Sequence, residues 1–354
     1  MTKSVYFYIL RVFSCLKKYP ICYKIKTVID GQGGQIILDN KIYLAVDSGG
    51  SKTLWSLIDI SGFTVYETKT AGLGAVKEGI LPIDETVSFA ANELKSVALP
   101  SAIFLSLGGP NTREVEKALK KHFPGMPIKV EREACGDAIL RAAAYMNCSS
   151  VVMCGTGSVA VGDTANGRKY CGGWGPVYGD GGSGGGMGQQ ALKLYLRDID
   201  GFESSHGLRD IFAFLSDGLD LSEFKDRMEL KNRAVNLDRK TLASFAPKIY
   251  ELWERGDAQA ERLYCDAARE IAEMAYLTSD DKNDTQVLLC GGFFANKPLL
   301  LDKCREELKK ISRAPIIYDS AFSPSLSAKI AVLEENGERV DGEIFKRLLN
   351  NERK

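Results

Sequence analysis

Two glycine turns in the sequence, each placed directly after an apolar run, have the residue types that bind phosphate. The first spans residues 47–53 (DSGGSKT) and the second spans residues 154–162 (CGTGSVAVG). Glycine lets the backbone turn tightly with its N–H groups exposed, and such concave turns hold phosphate oxygens. Asp47 adds a carboxylate of the kind that holds hydrated Mg²⁺. An ordinary β-hairpin is the alternative for each turn, but two such turns together favour one nucleotide with its phosphates between them.

A third glycine motif, residues 289–300 (LCGGFFANKPLL), fits the other end of a nucleotide. Gly291 and Gly292 would let a flat group approach the backbone closely, and Pro298 is typical of the first position of a helix. We therefore expect a purine and its ribose to bind here. A plain strand-to-helix turn made of small residues is the alternative.

The fourth motif, residues 171–188 (CGGWGPVYGDGGSGGGMG), is the densest in glycine. Glycine loses more conformational freedom on folding than any other residue, so we expect function rather than packing to account for this loop. Trp174 and Tyr178 offer flat faces, and Asp180 offers a carboxylate that accepts hydrogen bonds from hydroxyl groups. This combination fits a sugar. The alternative is a flexible surface loop, and we expect the glycines of residues 181–188 to act as hinges.

The elements that must position these motifs repeat one plan twice. An apolar strand, a small-residue turn and two further strands are followed by helices alternating with strands, first from Ile42 and again from Ser150. The predicted strands are residues 42–47, 54–60, 63–69, 102–107, 128–131, 151–154, 159–162, 168–173, 286–292 and 315–319. The predicted helices are residues 84–97, 112–123 and 137–146, segments between 187 and 277, a helix from 298, residues 324–335 and residues 342–354. The repetition predicts two α/β domains with a cleft between them, at the carboxyl ends of the strands.

Composition fits this picture of a folded, two-domain protein. The 354 residues carry 46 Lys and Arg against 46 Asp and Glu, and this zero net charge argues against nucleic acid as a partner. Hydrophobic residues make up 45% of the chain and charged residues 26%, which excludes a disordered protein. A single core rarely grows beyond roughly 250–300 residues, so two domains are expected. Nearly half of the 35 glycines lie in the four motifs.

The first 40 residues differ from the rest of the chain. Residues 5–16 are apolar, but Arg11 interrupts them and they fall short of the ~20 residues of a membrane span. We expect residues 1–40 to be a non-conforming extension, that is, a segment that does not follow the pattern of the rest of the chain. An interfacial anchor and a signal peptide are the alternatives. The nine cysteines are scattered without a CxxC pair, and there are only two histidines. This usage predicts reduced thiols in the cytoplasm and argues against a zinc site.

In this order, the motifs resemble the BadF/BadG/BcrA/BcrD ATPase family, and within it the N-acetylglucosamine kinase branch, of the sugar kinase/Hsp70/actin superfamily. The resemblance covers residues 42–335 and rests on DSGGSKT, LSLGG (105–109), GDA (136–138), GTGS, GGWGPVYGDGGS (172–183) and CGGFFAN. It implies two ribonuclease-H-like (actin-like ATPase) domains with an interdomain cleft, ATP with Mg²⁺, and phosphoryl transfer to a sugar hydroxyl. We place one domain at residues 41–147 plus 321–354 and the other at residues 148–320.

Site residues follow from the resemblance position by position. Asp47 would position Mg²⁺. The residues that match nucleotide-binding motifs are Gly49, Gly50, Ser51, Lys52, Thr53, Thr156, Gly157, Ser158, Gly291, Gly292 and Asn296. The residues that match the sugar-binding loop are Gly173, Trp174, Gly175 and Asp180.

The chain departs from the family on the acceptor side. Pro110 and Asn111 stand where the family has an aspartate that serves as the base, and residues 74–77 lack an asparagine that contacts the sugar. The family sequence GDEGS reads Gly-Asp-Gly-Gly-Ser at residues 179–183. We therefore take Asp137 or Asp180 as the substitute base, with a helix N-cap as the alternative role for Asp137.

These features favour an ATP-dependent kinase that phosphorylates an amino sugar, with a small-molecule sugar as partner and, by analogy with relatives, a possible homodimer. One alternative is an ATPase that activates a 2-hydroxyacyl-CoA dehydratase, whose relatives bridge an iron–sulfur cluster with cysteines. Cys135 and Cys154 are the candidates, but the GGWG loop argues against this function. The other alternative is a non-catalytic or altered-specificity member that binds ATP or sugar.

Overall fold

The computed structural model describes most of the chain. The backbone alone is described for residues 25–28 and 35–38, and side chains are described for residues 41–49, 52–74, 82–109, 111–132, 136–202, 204, 206–279 and 286–353. Several residues considered above lie outside these ranges, namely Gly50, Ser51, residues 75–77, Pro110 and Cys135.

Twelve strands are present in the described residues. They are β1 (Ile25–Val28), β2 (Gln35–Leu38), β3 (Ile42–Ser48), β4 (Lys52–Asp59), β5 (Thr64–Ala71), β6 (Ile103–Leu107), β7 (Ile128–Arg132), β8 (Cys148–Cys154), β9 (Ser158–Thr164), β10 (Gly167–Gly172), β11 (Gln286–Cys290) and β12 (Ile316–Tyr318). The antiparallel pair of β1 and β2 falls in the segment for which the sequence predicted no strand. The other ten strands overlap the ten predicted ones.

Twelve helices occur in the same described residues. They are α1 (Ile83–Val97), α2 (Thr112–His122), α3 (Asp137–Ala144), α4 (Gly184–Ile199), α5 (His206–Ser216), α6 (Phe224–Val235), α7 (Arg239–Ser244), α8 (Ala246–Glu254), α9 (Ala258–Thr278), α10 (Pro298–Lys309), α11 (Pro324–Glu335) and α12 (Gly342–Glu352). The helix α4 begins earlier than predicted, inside the glycine-rich segment. The hinge expected at residues 181–188 is therefore wrong from Gly184 onward, where the chain is helical and buried.

The chain divides into two compact units. The first consists of the described parts of residues 1–133 with residues 324–354, and the second of residues 134–323. The helix α3 packs on β8 and β9, so it belongs to the second unit, whereas the sequence analysis placed the boundary at residue 147.

The first unit is built on a sheet with the strand order β5-β4-β3-β6-β7. Strands β3, β4 and β5 are antiparallel neighbours, whereas β3, β6 and β7 run parallel. The central strands β3 and β6 are buried along almost their whole length, as expected for apolar strands covered on both faces. Asp47 of β3 lies opposite Ser106 of β6, so both are near the carboxyl edge of the sheet, where ligands bind in such folds.

The second unit repeats this order as β10-β9-β8-β11-β12, with the same strand directions. The repeated plan that the sequence predicted is thus present in two five-stranded sheets among the described residues. The long helix α9 packs on β8, β9 and β10 with one apolar face. That face repeats every three or four residues, as an amphipathic helix requires, and includes Leu263, Tyr264, Ala267, Ala268 and Ile271.

Among the described residues, no helix combines the length and apolar character needed to cross a bilayer. The cysteines that the structure describes are free thiols, namely Cys148, Cys154, Cys171, Cys265, Cys290 and Cys304.

Candidate functional site

The turn after β3 in the first unit is braced by hydroxyl groups. The Oγ of Ser48 and the Oγ1 of Thr53 lie 2.7 Å apart, and Thr53 also donates to the carbonyl of Ala71 at 2.9 Å. The backbone N–H of Leu73 donates to the Oγ of Ser48 at 3.0 Å. Both hydroxyl side chains are fully buried, so the sequence places Ser and Thr here to satisfy one another and the backbone.

Three backbone segments cross at this turn without side chains between them. The N–H of Gly74 donates to the carbonyl of Gly49 at 3.2 Å, and the N–H of Gly108 donates to the carbonyl of Ser48 at 2.7 Å. A Cβ atom on Gly74 would overlap the carbonyl oxygen of Gly108, and one on Gly109 would overlap that of Gly74. Glycine is therefore required here by close backbone approach.

Asp47 presents a carboxylate with no hydrogen bond or ion pair to any described residue. Although part of its surface is accessible, dense packing around the carboxyl group raises its pKa from 3.8 to about 6. Lys52 and Lys329 oppose this rise in pKa, and Glu352 adds to it. A bound cation would relieve the cost of the buried negative charge, so the donor fits the Mg²⁺ that the motif suggested. Magnesium commonly uses one or two protein carboxylates together with phosphate oxygens and water.

The buried cation near Asp47 is itself neutralised within the first unit. Lys329 of α11 is 2% exposed and lies 2.5 Å from Glu352 of α12 and 3.3 Å from Glu67 of β5. Such a buried lysine needs acidic partners. The helix α12 therefore contributes a charge to the interior beneath the β3 turn.

The turn after β8 in the second unit leaves donors free. The N–H of Gly155 donates to the carbonyl of Gly157 at 2.8 Å, whereas the N–H groups of Thr156 and Gly157 donate to no described residue. The carbonyls of Gly155 and Thr156 accept from the first N–H groups of α4, those of Gly184 and Gly185, at 2.9 and 3.1 Å. The turn thus lies on the positive end of a helix, where anions bind favourably.

Packing explains several of the glycines in the densest motif, contrary to the sequence analysis. A Cβ atom would overlap the carbonyl of Thr156 if placed on Gly185, and the carbonyl of Asp180 if placed on Gly186. A Cβ atom on Gly188 would overlap the carbonyl of Leu242. The start of α4 therefore needs glycine because backbone atoms of three other segments lie directly against it.

Asp180 lies at the centre of the second unit's site. Its side chain is 2% exposed, and its backbone adopts a φ of 66°, which few residues other than glycine, Asn and Asp tolerate. One carboxylate oxygen, Oδ1, accepts from the N–H of Ser158 at 3.0 Å, and Oδ2 is paired with Nη2 of Arg239. Both carboxylate oxygens therefore have a partner. The turn after β8 binds Oδ1, and α7 binds Oδ2.

Sequence reasoning missed Arg239. It is one of 46 basic residues in a stretch identified only as helical, and no motif surrounds it. Its partner Asp180 lies 59 residues away in the chain, so only the path of α7 across α4 brings the two together.

The loop before Asp180 exposes its aromatic residues. Trp174 is 79% and Tyr178 is 88% exposed, while Gly173 and Gly175 have φ values of 74° and 85°. The N–H of Gly179 donates to the carbonyl of Gly175 at 2.8 Å, which closes a short turn. The predicted flat faces are therefore open to a ligand, but Asp180 is buried away from them.

The third motif lies directly against the second turn. Gly291, with a φ of 106°, has the carbonyl of Cys154 where a Cβ would stand, and that carbonyl accepts from the N–H of Phe293 at 3.0 Å. Asn296 has a φ of 55° and is exposed, as is Gly292. The third motif and the turn after β8 are thus in direct contact within one unit.

Asp137 stands apart from this group. It is the first residue of α3, and the N-cap position belongs to Gly136, whose φ is 71°. The N-cap role considered for Asp137 is therefore wrong. Its carboxylate is 60% exposed and pairs with Arg168, which also binds Asp163 at 2.7 Å.

Two further residues from the sequence analysis have structural partners. Asn111, at the position expected for the family base, donates through Nδ2 to the carbonyl of Leu73 at 3.2 Å. Cys154 is fully buried, and burial raises the pKa of its thiol, so this sulfur lies in the core. Within the described residues, no cluster of three or more His, Cys, Asp and Glu could hold a metal ion.

Comparison with known proteins agrees with the motifs. A model of the BadF/BadG/BcrA/BcrD ATPase family matches residues 44–321. An N-acetylmuramic acid/N-acetylglucosamine kinase of Clostridium acetobutylicum is 25% identical over 308 residues, which cover 82% of this chain and 98% of that protein. An N-acetyl-D-glucosamine kinase of Dictyostelium discoideum is 24% identical over 324 residues, which cover 84% and 99%.

Solved structures show a similar fold. A Chromobacterium violaceum protein, provisionally assigned as an N-acetylglucosamine kinase, superimposes with a TM-score of 0.62 at 23% identity, covering 83% of this chain and 99% of that one. The ROK hexokinase of Thermus thermophilus gives a TM-score of 0.51 at 17% identity, covering 84% and 100%.

Proposed function

We propose, because the chain belongs to the BadF/BadG/BcrA/BcrD ATPase family, that it transfers a phosphoryl group from ATP to a hydroxyl of an amino sugar. Both relatives named above are N-acetylglucosamine kinases, and the chain spans nearly all of their lengths. We further propose that the two units are ribonuclease-H-like domains, since their sheets share one strand order. The free cysteines fit a cytoplasmic protein.

The observation that carries this proposal is the turn after β8. Its two unpartnered N–H groups, on Thr156 and Gly157, lie at the start of a helix, and the glycines of α4 pack against it without side chains. Such a turn binds phosphate oxygens. Beside this turn, Gly292 has no atom within 4 Å of the place where a Cβ would stand, and exposed Gly292 and Asn296 leave room for adenosine. Phosphoryl transfer depends mainly on this kind of positioning and on charge neutralisation.

We place the metal ion at the turn after β3. Asp47 would hold Mg²⁺, with Gly49, Lys52 and Thr53 in the turn around it. When bound, the ion would neutralise charge on the phosphates. Asp47 serves this role because its carboxylate has no other described partner.

Trp174 and its neighbours Gly173 and Gly175 are proposed to bind the sugar. The exposed indole face provides the apolar platform, and the left-handed glycines keep the backbone close to it. This contact stacks an apolar sugar face against the ring.

We propose Asp180 rather than Asp137 as the general base. It is buried beside the phosphate turn, whereas Asp137 is exposed and paired with Arg168. A general base contributes roughly 10²–10⁴-fold, and each Asp180 oxygen, with one hydrogen bond, keeps a lone pair that can accept a proton.

A panel of acceptors tests the proposed function. ADP release from Mg–ATP is measured with N-acetylglucosamine, glucosamine, N-acetylmuramate and glucose, with a reaction lacking sugar as the control. We expect release that depends on an N-acetylated amino sugar. Nucleotide binding without release for any sugar would contradict the kinase.

A non-catalytic sensor is the second candidate, and one observation favours it. Asn111 replaces the family's acid, and its amide is used to hold the carbonyl of Leu73. Calorimetric binding of sugar and ADP, together with no turnover at any pH between 5 and 9, would establish this function.

A further inference from the structure

We propose that Arg239 is an anion-binding residue of the turn after β8, where it contacts the phosphates of the nucleotide. This inference rests on the proposed function, because it assigns a ligand to the same turn. No motif in the sequence marks Arg239, and the only role that the structure shows for it directly is the ion pair with Asp180.

The position of Arg239 is the first support. Its side chain crosses the turn, since a Cβ atom on Gly157 would overlap the guanidinium and one on Gly185 would lie 3.3 Å from its Cγ. Both glycines belong to the structure that presents the free N–H groups. The guanidinium therefore lies directly beside Gly157, one of the two residues with a free N–H group.

The unused donors of Arg239 are the second support. A guanidinium carries five N–H groups, and among the described residues only Nη2 has a partner, Asp180. The Nε atom is buried without a hydrogen-bond acceptor among the described residues, which is unfavourable. The side chain as a whole is nevertheless 37% exposed. A phosphate oxygen at the turn would provide an acceptor for the remaining N–H groups of the guanidinium, and planar guanidinium groups suit phosphate.

Asp180 acts in this arrangement as a positioning residue. Its Oδ1 is fixed by the N–H of Ser158, and its Oδ2 holds one edge of the Arg239 guanidinium. Asp180 is buried and its backbone lies in the left-handed region. It therefore holds the guanidinium of Arg239 against the turn. The carboxylate also keeps Arg239 from leaving when the anion is absent.

Two anions could occupy this place, a nucleotide phosphate or the carboxylate of an acidic amino sugar. We assign the phosphate, because the guanidinium lies over Gly157, whose N–H is free, whereas the exposed ring of Trp174 belongs to the preceding loop. The experiment must therefore separate nucleotide affinity from sugar affinity.

The test compares ADP with adenosine, which lacks phosphate. Dissociation constants for both are measured by calorimetry on the full chain carrying Arg239→Met, Arg239→Lys, or the control Lys240→Met, an exposed cation on the same helix. We expect Arg239→Met to weaken ADP binding roughly 10- to 100-fold, as for loss of a charge-assisted hydrogen bond. Adenosine binding should be unchanged, Arg239→Lys should lie between, and Lys240→Met should match the wild type.

Several results would overturn the assignment. Equal weakening of ADP and adenosine in Arg239→Met would indicate a purely structural role, and so would unchanged ADP binding in both variants of Arg239. A selective rise in the KM for N-acetylmuramate, with ADP affinity intact, would assign the sugar carboxylate instead. If Arg239→Met does not fold, unchanged ADP affinity in the charge-conserving Arg239→Lys would contradict the proposed contact between the guanidinium and the phosphate. A wild-type chain that binds neither ADP nor ATP would refute the proposed function itself.

Discussion

The turn after β3 and the turn after β8 occupy the same place in two sheets of one strand order, but different groups hold them in shape. Buried hydroxyls of Ser48 and Thr53 brace the first. The backbone of α4 and the Asp180–Arg239 pair brace the second. A shared topology therefore fixes where the turns lie, while the side chains around them fix what each turn can bind.

The two turns present different groups. Among the described residues, the carboxylate of Asp47 at the first turn has no hydrogen-bond partner, whereas the second turn has free N–H groups beside the Asp180–Arg239 ion pair. A carboxylate suits a metal cation, and N–H groups suit phosphate oxygens. A substitution at either turn should therefore remove a different kind of ligand contact.

The largest effect is expected for Asp180→Asn. Loss of the carboxylate frees Arg239 and leaves the N–H of Ser158 with a weaker acceptor, in addition to removing a candidate base. We expect kcat to fall by roughly 10²–10⁴-fold, measured as ADP release at saturating sugar. Asp163→Asn, which alters an exposed acid of the same unit, serves as control. A fall of less than threefold would mean that Asp180 is neither base nor positioning residue.

Asp47→Asn should stabilise the protein while removing the metal site. The pKa of Asp47 is about 6 in the folded state against 3.8, so the folded state binds the proton more tightly than the unfolded chain does. Ionisation of Asp47 does not lower the free energy of unfolding below about pH 4. The loss of stability grows as the pH rises through 6 and reaches about 3 kcal/mol.

Urea denaturation without Mg²⁺ at pH 4.5 and pH 7.5 measures this cost. Asp47→Asn should gain about 2–3 kcal/mol over the wild type at pH 7.5 and about 1 kcal/mol at pH 4.5. The exposed Asp217→Asn is the control. An equal stability difference at both pH values would show that the carboxyl group is not strained by burial.

Gly185→Ala should damage the second turn through packing. The added methyl would overlap the carbonyl of Thr156, and overpacking of this kind costs about 1–3 kcal/mol. The higher helix propensity of alanine would offset part of that cost. Thermal unfolding compares it with Gly155→Ala, where a Cβ meets no atom within 4 Å. Equal melting temperatures for the two variants would refute the close contact.

The smallest effect is expected for Asp137→Asn. This acid belongs to an exposed ion pair with Arg168, and such pairs contribute about 0–1 kcal/mol. We expect nearly unchanged turnover and stability, by the same ADP assay and urea titration. A loss of turnover of roughly a hundredfold or more would instead identify Asp137 as the base.

Much of the fold was predictable because it is encoded locally. The apolar runs that end in glycine, such as the one leading to Asp47, predicted the strands, and helical spacing of residues 112, 115 and 119 predicted α2. The repeated order of elements then predicted the matching sheets. The pair β1–β2 was missed because that segment was set aside on its unusual composition.

The candidate site was only partly predictable, since it depends on contacts distant in sequence. The motifs located the turns, but nothing near Arg239 indicates that it meets Asp180. Glycine density was taken as a sign of hinges, although Gly185, Gly186 and Gly188 begin a buried helix. Whether a glycine serves motion or close packing depends on what lies opposite it, and that is a tertiary property.

The backbone crossing at Gly74 has an evolutionary consequence. Relatives are expected to have an acceptor-binding asparagine within residues 74–77, yet any side chain on Gly74 would collide with the carbonyl of Gly108. A single codon change at Gly74 would therefore disrupt the crossing before it could restore the contact. An asparagine at residue 74 would therefore need a compensating change in the segment after β6, where the carbonyl of Gly108 stands.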